Sequence, residues 1–299
     1  MRIFYYKFAG RPKLGLCVDD KFFPYENVKR TLLENISYSR IPARPELFKY
    51  MENTVTPFRE LNNLLKKKNL QKIKQIDVDK IEFLPPVIEP SKIICLGLNY
   101  ADHAQELGMP LPDKLNLFSK TSNTLIAHRD KIILPKISKS IDYEAELAII
   151  IGRKCKDVSV KDAENYILGY TIMNDVTARD LEFNGKIQWF RSKSLDTFAP
   201  IGPFILINTG DFNPNNLRIR LWINGELRQD SNTSKMVFNC YEIVSDISRD
   251  LTMLPGDVIS TGTPPGIGMM QKTGPKYLKP GDKIKIEIER IGCLENTVA

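Results

Sequence analysis

Apolar and polar positions change their pattern along the chain at the Pro85-Pro86 pair. Before it, short apolar runs at 1–8 and 14–18 predict strands, and helical spacing predicts helices over 26–38 and 44–68. Pro85-Pro86 and Pro90 then interrupt both patterns, as expected at a boundary. This reading places a small N-terminal α+β domain at 1–87 and a larger domain at 88–299.

The larger part is rich in short apolar runs. Strands are predicted at 93–98, 131–134, 144–151, 167–173, 203–208, 217–223, 257–260 and 283–289. Asn224-Gly225 stands between two such runs and predicts a hairpin through a type I′ turn. One helix is expected from about Asn239 to Leu251, where Asn239 can cap and Glu242 can complete a capping box. Pro255-Gly256-Asp257 and Pro280-Gly281-Asp282 read as type II turns feeding strands. The regular strand–helix alternation of a dinucleotide-binding fold is missing, so the fold class is mainly β with some α.

Composition narrows the function without naming it. The chain is 42% hydrophobic and 26% charged, as in globular proteins. No apolar run is long enough to span a bilayer, and the N-terminus lacks a signal-peptide plan, so a cytoplasmic location is the default. Five scattered cysteines without CxxC spacing argue against zinc and disulfides, and each reads as a small buried hydrophobe. A net charge of +7 raises a rival class, a basic nucleic-acid-binding protein. The basic residues are dispersed, however, and the densest run, Lys66-Lys67-Lys68, suits a solvated helix C-terminus.

One strand carries an anomaly. Glu144 and Glu146 stand in Asp142-Tyr143-Glu144-Ala145-Glu146-Leu147-Ala148, at the head of a buried run. Positions i and i+2 share a strand face, so the two carboxylates point the same way, about 7 Å apart at the ~3.4 Å rise per residue. Like charges beside an apolar run are costly unless neutralised, and a hard cation such as Mg²⁺, Mn²⁺ or Ca²⁺ is the simplest neutraliser. Asp175, where an apolar strand gives way to a turn, either begins that turn or completes a three-carboxylate site.

Other positions carry two readings each. Arg179, four residues after Asp175, suits a local salt bridge or a fork for a substrate carboxylate. His103 and Glu106 share one short helical turn ended by Gly108, either as a surface pair or as a general base with its orienting carboxylate. His128 reads as an ordinary loop residue. Lys193 is a surface lysine or a group that stabilises developing negative charge. The Thr261-Gly262-Thr263-Pro264-Pro265-Gly266 loop lacks the Lys-Ser/Thr of a P-loop, which removes a nucleotide reading. It is a rigid turn or a loop that approaches a ligand closely, with Thr263 adding a hydroxyl.

Taken in order, these segments resemble the fumarylacetoacetate hydrolase superfamily from Ser91 to about Gly292. The carriers are Gly97-Leu98-Asn99-Tyr100 with His103 and Glu106, then Asp142-Tyr143-Glu144-Ala145-Glu146-Leu147. Asn174-Asp175-Val176-Thr177-Ala178-Arg179-Asp180, Lys193-Ser194 with Asp196-Thr197-Phe198, and Thr261-Gly262-Thr263-Pro264 follow. The resemblance implies a mixed β-sandwich roll, a homodimer, and Mg²⁺ or Mn²⁺ on Glu144, Glu146 and Asp175. It implies a small 2-oxo acid as substrate, with neither nucleic acid nor membrane as partner. The expected reaction is hydrolytic C–C cleavage of an acylpyruvate, with isomerisation of a hydroxymuconate-type diacid or oxaloacetate decarboxylation as alternatives. His103, oriented by Glu106, is then the general base, Lys193 stabilises the oxyanion, and Arg179, Glu182 and Thr263 lie near substrate. Two positions depart from the family pattern: Glu182 stands where Gln is frequent, and Ser192 where Gly is common.

Overall fold

The structure, a computed structural model, describes residues 1–32, 41–182 and 187–299. Its backbone is organised by two sheets. The larger has ten strands, which run Lys21–Pro24, Arg11–Val18, Arg2–Phe8, Phe204–Ile207, Ile167–Asn174, Ala145–Ile151, Val258–Ser260, Ile93–Gly97 and Asn116–Lys120. Glu82–Leu84 adds to the Arg2–Phe8 strand. The smaller sheet orders Glu226–Asn232, Arg218–Ile223, Lys283–Ile288, Gly292–Val298 and Lys131–Ile132.

Side-chain alternation explains how the layers stack. In the Ala145–Ile151 strand, Leu147, Ile149 and Ile151 face Leu221, Ile286 and the Ile243/Ile247 stripe of the Cys240–Asp250 helix. Ala148 and Ile150 face the other way, into a core shared with Phe58 and Leu61 of the Val55–Leu65 helix. The strand is therefore buried on both faces, which is why it reads as a continuous apolar run. Glu146 interrupts this second face.

Most expected elements appear within a residue or two. Asn224 and Gly225 both have positive φ (52° and 82°), as a type I′ turn requires. Gly256 and Gly281 (φ 88° and 90°) occupy the left-handed position of their turns. Asn239 and Glu242 form the reciprocal capping box.

Three readings need correction or limits. The helix expected over 44–68 is a 3-10 turn, Pro45–Tyr50, followed by a separate helix, Val55–Leu65. Asn53 breaks the run because its side chain accepts from the amides of Val55 and Thr56 and starts the second helix. The helix expected over 26–38 is observed as Tyr25–Leu32, and its remainder lies outside the described residues. His128 is buried, accepts a backbone hydrogen bond from Glu295 and stands edge-on to Phe83. All five cysteines are free, four of them buried and Cys293 half-buried.

Candidate metal centre and active site

Glu144, Glu146 and Asp175 converge. Each offers a carboxylate oxygen within 4.8 Å of the others, and all three residues are buried. Strand pairing brings them together. Ala145 lies opposite Asn174, and one step further the Asp175 amide donates to the Glu144 carbonyl at 2.9 Å. Asn174 adds a side-chain acceptor for the Glu144 amide. Sequence spacing places the two glutamates on one face, but only this register delivers Asp175 to them.

Cations surround the triad unevenly. Lys193 donates to Glu144 (2.9 Å), Asp175 (2.7 Å) and the Thr177 hydroxyl (2.8 Å), which engages all three ammonium protons. It sits above the ring of Phe118, 5.0 Å from the centroid. Lys120 donates to the other Asp175 oxygen at 2.6 Å and to the Val176 carbonyl. Arg179 reaches Asp142, Glu144 and Glu182 through Nε, Nη2 and Nη1. It does not pair with Asp175, as the four-residue spacing had suggested. The chain turns at Val176, and the guanidinium is directed back along the Asp142–Glu144 segment instead.

The protonation energetics follow. Burial pushes the Glu144 carboxyl up, but Lys193 and Arg179 outweigh it and bring it down to about 2. Among the described residues, no cation is bonded to Glu146. Burial, then the charges of Asp175 and Glu144, hold its carboxyl well above the usual range. Its Oε2 accepts from the Ser260 hydroxyl (2.5 Å) and the Gly262 amide (2.8 Å), which fixes its orientation. Burial lowers the Lys120 ammonium, with Asp175 opposing the shift.

The cluster fits a divalent cation on its charge and its donors. Among the described residues, five buried carboxylates (Asp142, Glu144, Glu146, Asp175, Glu182) face three buried cations (Lys120, Arg179, Lys193). With all five ionised, the excess of two negative charges equals the charge of one divalent ion. Carboxylate oxygens are the ligands that Mg²⁺ and Mn²⁺ prefer.

His103 stands on the Ala101–Leu107 helix, whose C-terminus is closed by Gly108 in the left-handed conformation (φ 64°). The histidine is only 6% exposed. Its Nδ1 lies 2.9 Å from Glu106 Oε2, and Glu106 Oε1 accepts from the Gly266 amide at 2.9 Å. The short helix is thus fastened to the Gly/Pro loop. Gly266 is required there: φ is 101°, and a Cβ would come within 2.0 Å of the Arg228 carbonyl oxygen. Thr263 has its hydroxyl engaged twice, donating to the Ala145 carbonyl and accepting from Gln229. Glu182 is buried against Arg179.

Sequence reasoning missed Lys120 and understated Asp142. Asp142 accepts from the amides of Gly268 and Met269 as well as from Arg179, so it ties the loop after Thr263 to the arginine that holds Glu144. It lay inside the acidic motif and was available to find. Lys120 gave no local signal, because its role depends on an edge strand crossing over Asp175.

Two packed sheets and a buried carboxylate triad with the donor chemistry of a cation site define a β-rich class of protein. The family model described as fumarylacetoacetate (FAA) hydrolase C-terminal matches residues 92–299. The chain belongs to the fumarylacetoacetate hydrolase family and is an enzyme of that superfamily. It is 43% identical over 219 residues to the oxaloacetate tautomerase Fahd2a, mitochondrial, of Rattus norvegicus, covering 73% of this chain and 70% of that protein. A fumarylacetoacetate hydrolase structure from Exiguobacterium antarcticum superposes with a TM-score of 0.79 at 33% identity, covering 100% of this chain and 99% of that one. A 5-carboxymethyl-2-hydroxymuconate delta-isomerase structure from Mycobacterium smegmatis gives 0.73 at 31% identity, covering 100% and 98%.

Proposed function

We propose that this chain is a divalent-metal-dependent enzyme that acts on a 2-oxo acid at the carbon next to its oxo group. The observation that carries this is the buried Glu144–Glu146–Asp175 triad, whose carboxylates outnumber the buried cations around them among the described residues. Those carboxylates would hold Mg²⁺ or Mn²⁺, which would supply Lewis-acid stabilisation of the negative charge that grows on a substrate oxygen.

The chain's own residues do the rest. His103 carries the proton, and Glu106 fixes its ring and tautomer through Nδ1, leaving Nε2 for the reaction. Lys193 holds Glu144 and Asp175 ionised. With a divalent ion held by those carboxylates, the Lys193 ammonium would be available to an oxyanion. Arg179 orders Glu144 from behind, with Glu182 fixing the guanidinium. Thr263 shapes the wall that receives the substrate carboxylate.

Two reactions share this enolising chemistry. Hydrolytic cleavage of an acylpyruvate also needs His103 to activate water. Keto–enol tautomerisation of an oxaloacetate-type acid stops at the proton transfer, and the 43% identity to the rat oxaloacetate tautomerase favours it. A panel of acetylpyruvate, fumarylpyruvate, enol-oxaloacetate and a hydroxymuconate diacid, with Mg²⁺ or Mn²⁺, separates these reactions from diacid isomerisation and decarboxylation. His103→Ala should lower turnover of the accepted substrate by about 10²–10⁴-fold. Unchanged turnover in that variant would remove His103 from the mechanism. A division into residues 1–87 and 88–299, a cytoplasmic homodimer, and the absence of nucleic-acid binding belong to the same proposal. Every residue given a role above lies within 88–299.

A further inference from the structure

A cavity of about 390 Å³ opens beside Tyr143, which stands in the chain between Asp142 and Glu144. Its wall includes Tyr143, Arg228, Lys139, Lys276, Lys279 and Tyr277. Nothing in the proposed reaction uses it. Four of its lining residues are cationic, against one lining carboxylate, Asp282. Asp282 is already engaged, accepting from the Lys279 amide and from the Asn224 side chain at 2.8 Å each.

Arg228 distinguishes this cavity from a chance cluster of surface lysines. Its side chain is only 9% exposed, and its Nε is buried with no hydrogen-bond partner among the described residues. Burying a guanidinium is costly unless an anion answers it. Here a carboxylate of the chain partly does so. Glu226, which is 60% exposed, reaches Arg228 Nη2 at 2.9 Å and stands 3.7 Å from Lys276 Nζ. Glu226 therefore marks a position between Arg228 and Lys276 that accepts an oxyanion. Because it is solvated and held by one close contact, it is readily displaced.

We propose that this cavity is a binding site for a small, multiply charged oxyanion, a phosphate or a polycarboxylate, seated on Arg228 and Lys276 in exchange for Glu226. The volume suits a small molecule, and Tyr143, Tyr277 and Ile223 offer apolar surface beside the charge. The site also adjoins the reaction centre. Arg228 Nη1 donates to Gln271 Oε1, Gln271 Nε2 donates to the Gly266 carbonyl, and the Gly266 amide donates to Glu106. Three hydrogen bonds thus separate the cavity's arginine from the partner of His103.

Isothermal titration of the full chain, without added divalent ion and at low salt, tests this with inorganic pyrophosphate and with citrate as separate probes. Without metal the carboxylate cluster is negative and repels either probe. The expected result is saturable binding of at least one probe, weakened by added salt. Arg228→Leu should lower the affinity by about tenfold or more, and Glu226→Gln should raise it several-fold. Binding of pyrophosphate alone identifies a phosphate site, and binding of citrate alone a carboxylate site. If Arg228→Leu does not fold, the exposed Lys276→Ala serves in its place and should also weaken binding. The proposal is overturned if neither probe binds the wild type. It is equally overturned if affinity is unchanged in the Arg228 or Lys276 variant, or falls in Glu226→Gln.

Discussion

Glu146 offers the sharpest test of the proposed metal centre, because its charge should cost stability in the absence of a metal. Its oxygen lies within 4.8 Å of oxygens of both Glu144 and Asp175. At an effective dielectric of about 20, each such pair of like charges repels by about 3 kcal/mol. Lys193 offsets part of this, and the Ser260 hydroxyl bond offsets some more. The sign follows from the raised carboxyl of Glu146. Its favourable contribution is present below the ordinary carboxylate value of 4.5 and is lost as pH rises through the raised one. At neutral pH without metal, Glu146→Gln should therefore stabilise the fold by on the order of 1–3 kcal/mol. The glutamine oxygen can still accept from Ser260 and Gly262, while its NH₂ faces the remaining carboxylates. In a thermal melt of EDTA-treated protein this is a rise of roughly 2–6 °C. Titrated with Mn²⁺, the wild type should gain melting temperature, while the variant should gain little and lose turnover. A metal-free variant that melts below wild type, or one that Mn²⁺ stabilises equally, would refute the charge argument.

Two further predictions concern the fold. Asn239→Ala removes the acceptor for the Tyr241 and Glu242 amides and should cost about 1 kcal/mol by chemical denaturation, with most of the loss restored by Asn239→Ser. Burial, aided by Arg129, lowers the His128 imidazole from 6.5 to about 4, so the unfolded chain binds its proton first on acidification. Stability should fall as pH drops from about 6.5 to about 4, by up to about 3 kcal/mol from this residue, and His128→Leu should flatten that slope. An unchanged slope in the variant would show that other groups carry the acid sensitivity.

Local chemistry made much of the scaffold legible. The Asn224-Gly225 turn, the two Pro-Gly turns and the Asn239 capping box each depend on residues within four positions, so their physics is complete in the sequence. The doubly buried strand was visible as an unbroken apolar run, and its two glutamates stood out because a strand's period is two. The split of the 44–68 helix was harder, since one Asn side chain bonding two amides overrode the helical spacing. The strands Asn116–Lys120 and Gly292–Val298 gave no clear alternation, because they are edge or half-solvated strands defined by their neighbours.

The site divides along the same line. By itself the sequence determined that two carboxylates would share a strand face at the margin of a core, and that such a pair requires a counter-charge. Their ordered context, from His103 to Thr263, pointed to a family that uses a metal there. Only the tertiary structure decided which charges meet. Asp175 joins the glutamates through a strand register, and Lys120 arrives from an edge strand 55 residues away. Arg179 leaves Asp175, four residues back, and reaches across to Asp142 and Glu144, 37 and 35 residues away. These contacts depend on packing between segments far apart in the chain, and the electrostatic balance that leaves two charges for a cation exists only once they have formed.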